Sequence, residues 1–232
     1  MTAVLTLLAA LANDKEAEEA LARFKTSYAS TSVLSRAAAV SELARTQHEK
    51  ILPRLAGMLG NEAKEVKAAA ALGLGGYSDF KKQALGILTG SIAANDKEPV
   101  VQAAIYEALG KLNDPAALPA IHRGIEDKDG KAAAAAILAA AAIKNATSVD
   151  LILKEYEEAE RATKATGGGG ASVPGFSVPG GGGGADPAKA RAKEVVKACT
   201  KAMQNISGEK YTTCPEWKIW WSRRRATFGQ PK

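Results

Sequence analysis

The sequence is poor in aromatic residues and has no apolar run long enough to cross a bilayer. Phe, Trp and Tyr make up 5% of the 232 residues, whereas apolar residues of all kinds make up 46%. A core of Ala, Leu, Val and Ile suits an elongated stack of helices better than a β-sandwich, and the chain is long enough to bury one. The apolar stretch at residues 2–12 is far too short to span a membrane, and no other stretch could do so.

Residue types that commonly carry catalysis or bind metals are scarce as well. The two histidines, His48 and His122, have no Cys, His or carboxylate near them at the spacing of metal ligands. The sequence contains no Walker loop, no nucleophile elbow and no HExxH motif, and the glycine run at 167–170 lacks the Lys and the preceding strand of a phosphate loop. We therefore expect no enzymatic activity, metal, cofactor or small-molecule substrate. Both histidines are interpreted as surface or helix-end residues.

The chain has only two cysteines, Cys199 and Cys214, which are 15 positions apart near its end. In an exported chain they could form a disulfide that ties the last long helix to the segment after it. The alternative is two unpaired thiols, and the sequence leaves both open.

The apolar stretch at residues 2–12 ends in Ala10-Leu11-Ala12, which has the small-x-small form of a signal-peptidase site. No basic region precedes it. It is either the first helix of the fold or the end of a signal peptide that starts further upstream, and we favour the second. We accordingly expect an exported, periplasmic protein, with a cytoplasmic location as the alternative.

An Ala-rich helix recurs along the chain. The segment at 66–75 returns as 101–110, and shorter copies lie at 36–43 and 131–138. In each copy an Ala pair precedes a Leu by the same distance. Self-similarity at this period is typical of stacked helical repeats, in which each unit closes on its neighbours. The pattern predicts an all-α fold, a right-handed α-α superhelix of about four helix pairs.

Polar residues that can cap helices mark the expected starts of several elements. Asp14, Asn61 and Asp96 each precede a stretch with helical spacing, and Asp114 is followed by Pro115 in the most favoured form of a helix start. Each Ala-rich helix is expected to be followed by a partner helix with Leu and Ile at helical spacing.

Composition divides the chain into four segments. Residues 1–12 form the apolar stretch, 13–164 carry the repeats, 165–186 are a flexible Gly/Pro-rich linker, and 187–232 hold a further repeat helix and a Trp-rich cap. Through residue 164 the chain has 20 Lys and Arg against 21 Asp and Glu, and after it 11 against 4. The excess positive charge therefore lies in the last third.

One aromatic and cationic group stands out near the end of the chain. It consists of Trp217, Trp220, Trp221, Arg223, Arg224 and Arg225. Five more basic residues precede it, Lys189, Arg191, Lys193, Lys197 and Lys201. The group could bind an anionic partner, with Trp adding stacking or anchoring. Alternatively, the three Trp cover the open end of the helical stack, as a terminal cap must, and we favour this interpretation.

The repeated Val/Arg-x-Ala-Ala-x-x-x-x-Leu helices and the Asp-Pro helix starts at 33–161 resemble HEAT repeats. The resemblance is strongest to the short, degenerate HEAT-like repeats also found in phycobilin lyases. The turn Ile206-Ser207-Gly208 and the motif Pro215-Glu216-Trp217-x-x-Trp220-Trp221 are similar to the C-terminal end of exported HEAT-like proteins of bacteria. The motif departs from that pattern by one residue fewer before the first Trp, and Cys214 replaces the usual Asp cap.

The resemblance implies an α-α superhelix and says little about a specific function. We expect a non-catalytic scaffold that binds a protein partner on the concave face, which the second helices of the pairs line. The candidate residues there are Lys50, Arg54, Lys81, Lys82, His122 and Arg123. One alternative is binding of nucleic acid or an anionic membrane surface through the basic end. Another is a HEAT-like enzyme, either a chromophore lyase or a DNA-repair protein, although the nearly neutral repeats disfavour the latter.

Overall fold

The computed structural model describes residues 2–165 and 186–229, with the side chains of residues 13–164 and 186–229. Within these ranges the chain forms helices joined by short turns, and it contains no strand. The predicted all-α fold is therefore confirmed. The helices group into two compact units, residues 1–121 and 122–232.

The first unit consists of six helices and the start of a seventh. They are α1 (Thr2–Tyr28), α2 (Val33–Arg45), α3 (Leu52–Met58), α4 (Lys64–Leu74), α5 (Lys81–Ser91), α6 (Pro99–Leu112) and α7 (Leu118–Ile125). The described part of the second unit holds the end of α7 and four further α-helices. These are α8 (Gly130–Ile143), α9 (Ala146–Ala165), α10 (Pro187–Ser207) and α11 (Cys214–Arg224).

The Ala-rich first helices of the pairs pack directly on one another in the first unit. Helix α4 lies against both α2 and α6 and buries Ala70, Ala71 and Leu74 completely. Gly75 ends α4 so close to α6 that an added Cβ would lie 2.8 Å from the Cα of Ala108. Because these positions have almost no side chain, the backbones of successive first helices can approach closely.

An ion pair of a buried lysine with a half-buried glutamate adds a polar link between α4 and the turn before α6. The Lys67 Nζ lies 2.6 Å from a Glu98 carboxylate oxygen and 3.1 Å from the Asn95 Oδ1, and Lys67 is only 7% exposed. The Asn95 amide in turn donates to the carbonyls of Leu59 and Ser91. The buried ammonium therefore has two partners, and Asn95 has its own hydrogen bonds satisfied.

Helix α10 continues the helical stack of the second unit, although it follows the Gly/Pro-rich segment in sequence. It packs against α8 and α9, while α11 packs against α9. The Arg191 side chain donates to the Asp127 carbonyl at 2.7 Å and forms a 2.9 Å ion pair with the Glu155 carboxylate. Gly130 at the start of α8 permits this approach, since an added Cβ would lie 3.0 Å from the Arg191 Cα.

Two of the predicted helix starts lie next to a proline. The structure confirms one of them and contradicts the other. Asp114 caps the turn that leads into α7, where its side chain accepts from the Ala116 N–H at 2.9 Å, as predicted. The predicted start at Asp96 is wrong, because α6 begins at Pro99. Proline has no N–H to donate and is tolerated in the first helical turn, so its position decides where α6 begins.

Two other predicted caps are also wrong. Asp14 lies inside α1, because the apolar stretch at residues 2–12 continues into the polar residues as one helix. Asn61 lies before the true start of α4, which begins at Lys64 after an extended Ala63 without a side-chain cap.

The structure does not test three of the expectations from the sequence. The choice between a first helix and a signal peptide at residues 2–12 stays a prediction, and so does the expected location of the protein. The predicted linker falls mainly on residues 166–185, which lie outside the described part of the chain. Among the helices that are described, none is long and apolar enough to span a membrane.

Candidate functional site

Three of the six candidate binding residues on the second helices have partners within the protein. The Lys50 ammonium lies 3.0 Å from a Glu18 carboxylate oxygen and 3.3 Å from an Asp14 oxygen, and these contacts raise its pKa. The Arg54 guanidinium lies over the rings of Phe24 and Tyr28, at 5.2 and 5.9 Å from their centres. These two cations therefore hold α1 against the turn before α3 and against α3 itself.

His122 is the third candidate with an internal partner. Its Nε2 lies 2.8 Å from the hydroxyl of Ser148, which is fully buried, and burial lowers the pKa of the imidazole. The other histidine, His48, caps a short helical turn by accepting from the Lys50 N–H, and its Nε2 lies 3.1 Å from an Asp14 oxygen. His48 is a helix-end residue, as predicted, but it is buried.

The remaining candidates, Lys81, Lys82 and Arg123, form no ion pair with any described side chain. Lys81 and Lys82 begin α5 in the first unit, and Arg123 lies in the second unit. Lys82 and Arg123 are exposed and Lys81 is half-buried. Of the six predicted residues, these three are therefore the ones whose charge is available to a partner.

The structure also reveals a feature of α3 and α5 that the sequence analysis missed. Gly57 of α3 and Gly86 and Gly90 of α5 are exposed, and a Cβ added to any of them would meet no atom within 4 Å. Glycine inside a helix costs about 1 kcal/mol relative to alanine. Packing within the chain explains Gly75, which faces Ala108, but it does not explain these three glycines.

The aromatic and cationic group at residues 217–225 divides into two parts, of which the first packs against α9. Trp217 is fully buried and Trp221 is 5% exposed. The Trp221 Nε1 donates to one Asp150 carboxylate oxygen at 2.7 Å, and Arg225 donates to the other at 2.8 Å. These three side chains therefore fix α11 on α9, which supports the interpretation as a cap.

The second part of the group lines an open cavity of about 290 Å³. Its lining residues are Glu209, Tyr211, Glu216, Ile219, Trp220, Arg223 and Arg224. Ile219 is 54% exposed, and neither Arg223 nor Arg224 has an ion pair with a described side chain. The cavity can therefore offer an apolar or aromatic wall and two cations to a ligand.

The acidic residues at this cavity have different roles. A Glu216 carboxylate oxygen accepts from the Thr213 hydroxyl at 2.6 Å and from the Thr212 and Thr213 N–H groups, which together cap α11. These hydrogen bonds lower the pKa of Glu216, so its charge serves the helix start. Glu209 is exposed and contributes one negative charge to the rim.

The two cysteines are free and buried in the structure. The Cys199 thiol faces the Ile152 carbonyl at 3.7 Å, and the Cys214 thiol faces the neighbouring Leu153 carbonyl at 3.6 Å. Burial raises the pKa of both thiols, that of Cys199 strongly. Of the two sequence-based alternatives, the structure has unpaired thiols packed against the same turn of α9.

Comparison with known proteins agrees with the repeat architecture. Residues 89–165 match the family model of HEAT repeats, which covers α6, α7, α8 and α9. No curated protein matches the chain. Over the part of the chain that the structure describes, no group of three or more His, Cys, Asp or Glu residues could hold a metal ion. The likeness of α11 to exported bacterial proteins stays a prediction. Residues 89–165 are therefore similar to HEAT repeats, and the stacked Ala-rich helices that precede them have the packing expected of the same architecture.

Proposed function

We propose that this protein is a non-catalytic scaffold that binds a protein partner through the exposed surface of its second helices, α3 and α5. HEAT repeats commonly mediate protein–protein interaction. The observation that carries the proposal is the set of exposed glycines, Gly57, Gly86 and Gly90, over which the chain itself places no atom. A helix surface without side chains lets another backbone approach closely.

The charge on the same helices indicates the kind of partner. Helices α3 and α5 contact each other and contain no carboxylate, and Lys81 and Lys82 of α5 have charge available to a partner. A partner with an acidic surface would complement them, and the attraction would speed its approach and fix its orientation. Gly86 and Gly90 lie one and two turns after Lys82 on α5, so Lys82 borders the open stretch at its N-terminal end.

The surface can be tested by photo-crosslinking in the native cell. A photoreactive amino acid replaces Gln83, an exposed residue of α5, and in a matched variant it replaces Glu107, an exposed residue of the first helix α6. The proposal expects a specific adduct from position 83 and none from position 107. Adducts of equal yield at both positions, or an adduct at 107 alone, would exclude the second helices as the binding surface.

Substitutions then test the contribution of each feature with the purified partner. G86Q/G90Q places two long side chains on the open stretch, and K81E/K82E reverses two charges. K64E/K111E makes the same charge change on exposed positions of the first helices. We expect both α5 variants to weaken binding at least tenfold, about 1.4 kcal/mol, and the control to bind normally. Because Gln is the better helix former, G86Q/G90Q should also unfold at a higher temperature. Weaker binding by this variant therefore cannot be attributed to misfolding.

A further inference from the structure

Helix α10, in the second unit, carries a row of lysines on its solvent face, whereas the surface proposed above belongs to the first unit. The row consists of Lys189, Lys193, Lys197 and Lys201. Lys189 is half-buried and the other three are exposed. Successive members are four residues apart, so the row runs about 18 Å along the helix and turns about 40° at each step. Like charges at this spacing repel each other and destabilise an isolated helix.

The position of the row is set by the packing of α10. The buried residues of the helix, which face α8 and α9, are Ala192, Val195, Ala198, Cys199, Ala202 and Met203. At 100° per residue, the centre of the lysine row lies roughly opposite the centre of this buried face. The fifth basic residue, Arg191, points the other way, to the Asp127 carbonyl and the Glu155 carboxylate. Arg191 anchors the helix, whereas the lysines face solvent.

The lysines of the row also differ from the cations on the neighbouring helices. Lys154 and Lys164 of α9 and Lys218 of α11 each lie within 4.0 Å of a carboxylate oxygen. No member of the row has an ion pair among the described residues. The solvent face of α10 contains one carboxylate, that of Glu194, which offsets only one of the four positive charges of the row.

The solvent face of α10 lacks the exposed apolar residues that an interfacial membrane helix requires. Such a helix buries its apolar face in the lipid. The apolar face of α10 is already buried against α8 and α9, and none of the large exposed apolar residues of the described chain lies on α10. A partner of this surface must therefore be held by charge alone, and a polymer of closely spaced phosphates is the best match.

We propose that the α10 lysine row binds the phosphate backbone of a nucleic acid duplex without sequence preference. A duplex carries one negative charge per 1.7 Å or so of its axis, so about ten phosphates fall within the length of the row. Four lysine–phosphate contacts give a slope of about −3.6 for log affinity against log salt concentration. Affinity should then fall about 150-fold between 50 and 200 mM KCl.

The full-length chain tests this proposal in a fluorescence anisotropy titration with a labelled random-sequence DNA duplex of about 20 base pairs. The row variant is K189Q/K193Q/K197Q/K201Q. Its control, K25Q/K64Q/K97Q/K111Q, removes the same charge from four exposed lysines of the first unit that lie outside the surface proposed for the protein partner. We expect the control to retain most of the binding and its salt dependence. The row variant should lose at least 30-fold in affinity at 50 mM KCl, and its slope should be smaller by about 3 to 4.

Each other outcome contradicts the proposal. An equal loss in the two variants would show that net charge, and not the row, governs binding. If the protein does not bind the duplex at 50 mM KCl, nucleic acid is excluded as the ligand of the row. If it binds phosphatidylserine vesicles and not the duplex, the row is a membrane-binding surface. Thermal unfolding of the row variant checks its fold, and removal of four like charges should leave the melting temperature equal or higher.

Discussion

Trp221 donates its indole N–H to Asp150 at 2.7 Å, across 71 positions of sequence. Because Trp221 is almost fully buried, few water molecules can replace the Asp150 oxygen. Helix α11 is thus held to α9 by a charge-assisted hydrogen bond as well as by buried aromatic surface.

This contact predicts unequal effects for two substitutions. Asp150→Ala leaves the Trp221 N–H without an acceptor and should destabilise the docking of α11 by about 2 kcal/mol. Arg225→Ala removes a partner that is 64% exposed and should cost less than about 1 kcal/mol. Urea unfolding followed by Trp fluorescence measures both, since all three Trp residues lie in α11. If Arg225→Ala costs as much as Asp150→Ala, the hydrogen bond to Trp221 does not secure the cap.

Two glycine substitutions should have opposite effects on stability. Gly75→Ala places a methyl group 2.8 Å from the Ala108 Cα, so α4 and α6 must move apart, and we expect a loss of about 2 kcal/mol. Gly86→Ala places a methyl group in open space within α5 and should stabilise the protein by about 0.5 to 1 kcal/mol. Thermal unfolding of the two variants beside the wild type measures the difference. Equal melting temperatures would show that the first helices do not depend on the close approach at Gly75.

His122 makes the stability of the second unit depend on pH. Burial lowers its pKa below the ordinary value of 6.5, so the unfolded chain binds a proton more readily than the folded one. Above pH 6.5 or so both states are neutral at this residue and its contribution is constant. As the pH falls below that value, the unfolded state gains the proton first and the fold loses stability.

The measurement is a series of thermal unfolding curves between about pH 5 and pH 8. We expect the melting temperature to fall on the acid side of 6.5 in the wild type and to fall less in His122→Gln. Gln retains a group that can hydrogen bond to Ser148 but does not titrate. An identical acid slope in both proteins would assign the effect to other groups.

The buried thiols should be unreactive in the native protein. Thiolate is the reactive species, and burial both shields Cys199 and Cys214 and raises their pKa values. With a chromogenic disulfide reagent at about pH 8, we expect no reaction of the native chain and two reactive thiols after unfolding in urea. Rapid reaction in the native state would contradict the buried packing. Absence of thiols in urea before reduction would identify a disulfide, the alternative that the sequence left open.

The repeat pattern predicted the helices that dominate the fold, because the pattern itself describes their packing. Ala-rich positions recur where α2, α4, α6 and α8 bury their backbones, and the same periodicity appears in the burial of Leu74 and Leu109. The prediction of these helices depended on the spacing of apolar residues and on the positions of small side chains. Both are visible within a single segment of the sequence, without knowledge of its partners in the fold.

Features that depend on distant partners could not be predicted in this way. Asp14 has the composition of a helix cap, but in the fold it lies beside His48 and Lys50, more than thirty positions away. Arg225 follows two other arginines, and only the position of Asp150 decides that it is the one that pairs. The exposed glycines at 57, 86 and 90 look like ordinary loop or helix-end residues until the structure shows that nothing covers them.

Helix α10 is held to α8 and α9 by contacts between side chains, and this affects how much the fold depends on the peptide link between α9 and α10. The contacts that hold it join residues far apart in sequence, as Tyr156 does by hydrogen bonding to both Thr200 and Thr212 at 2.6 Å. The peptide link between α9 and α10 therefore serves mainly to keep the two halves of this interface at high effective concentration. Two separately produced fragments, residues 1–165 and 186–232, should recombine into the native second unit, in the manner of a split protein.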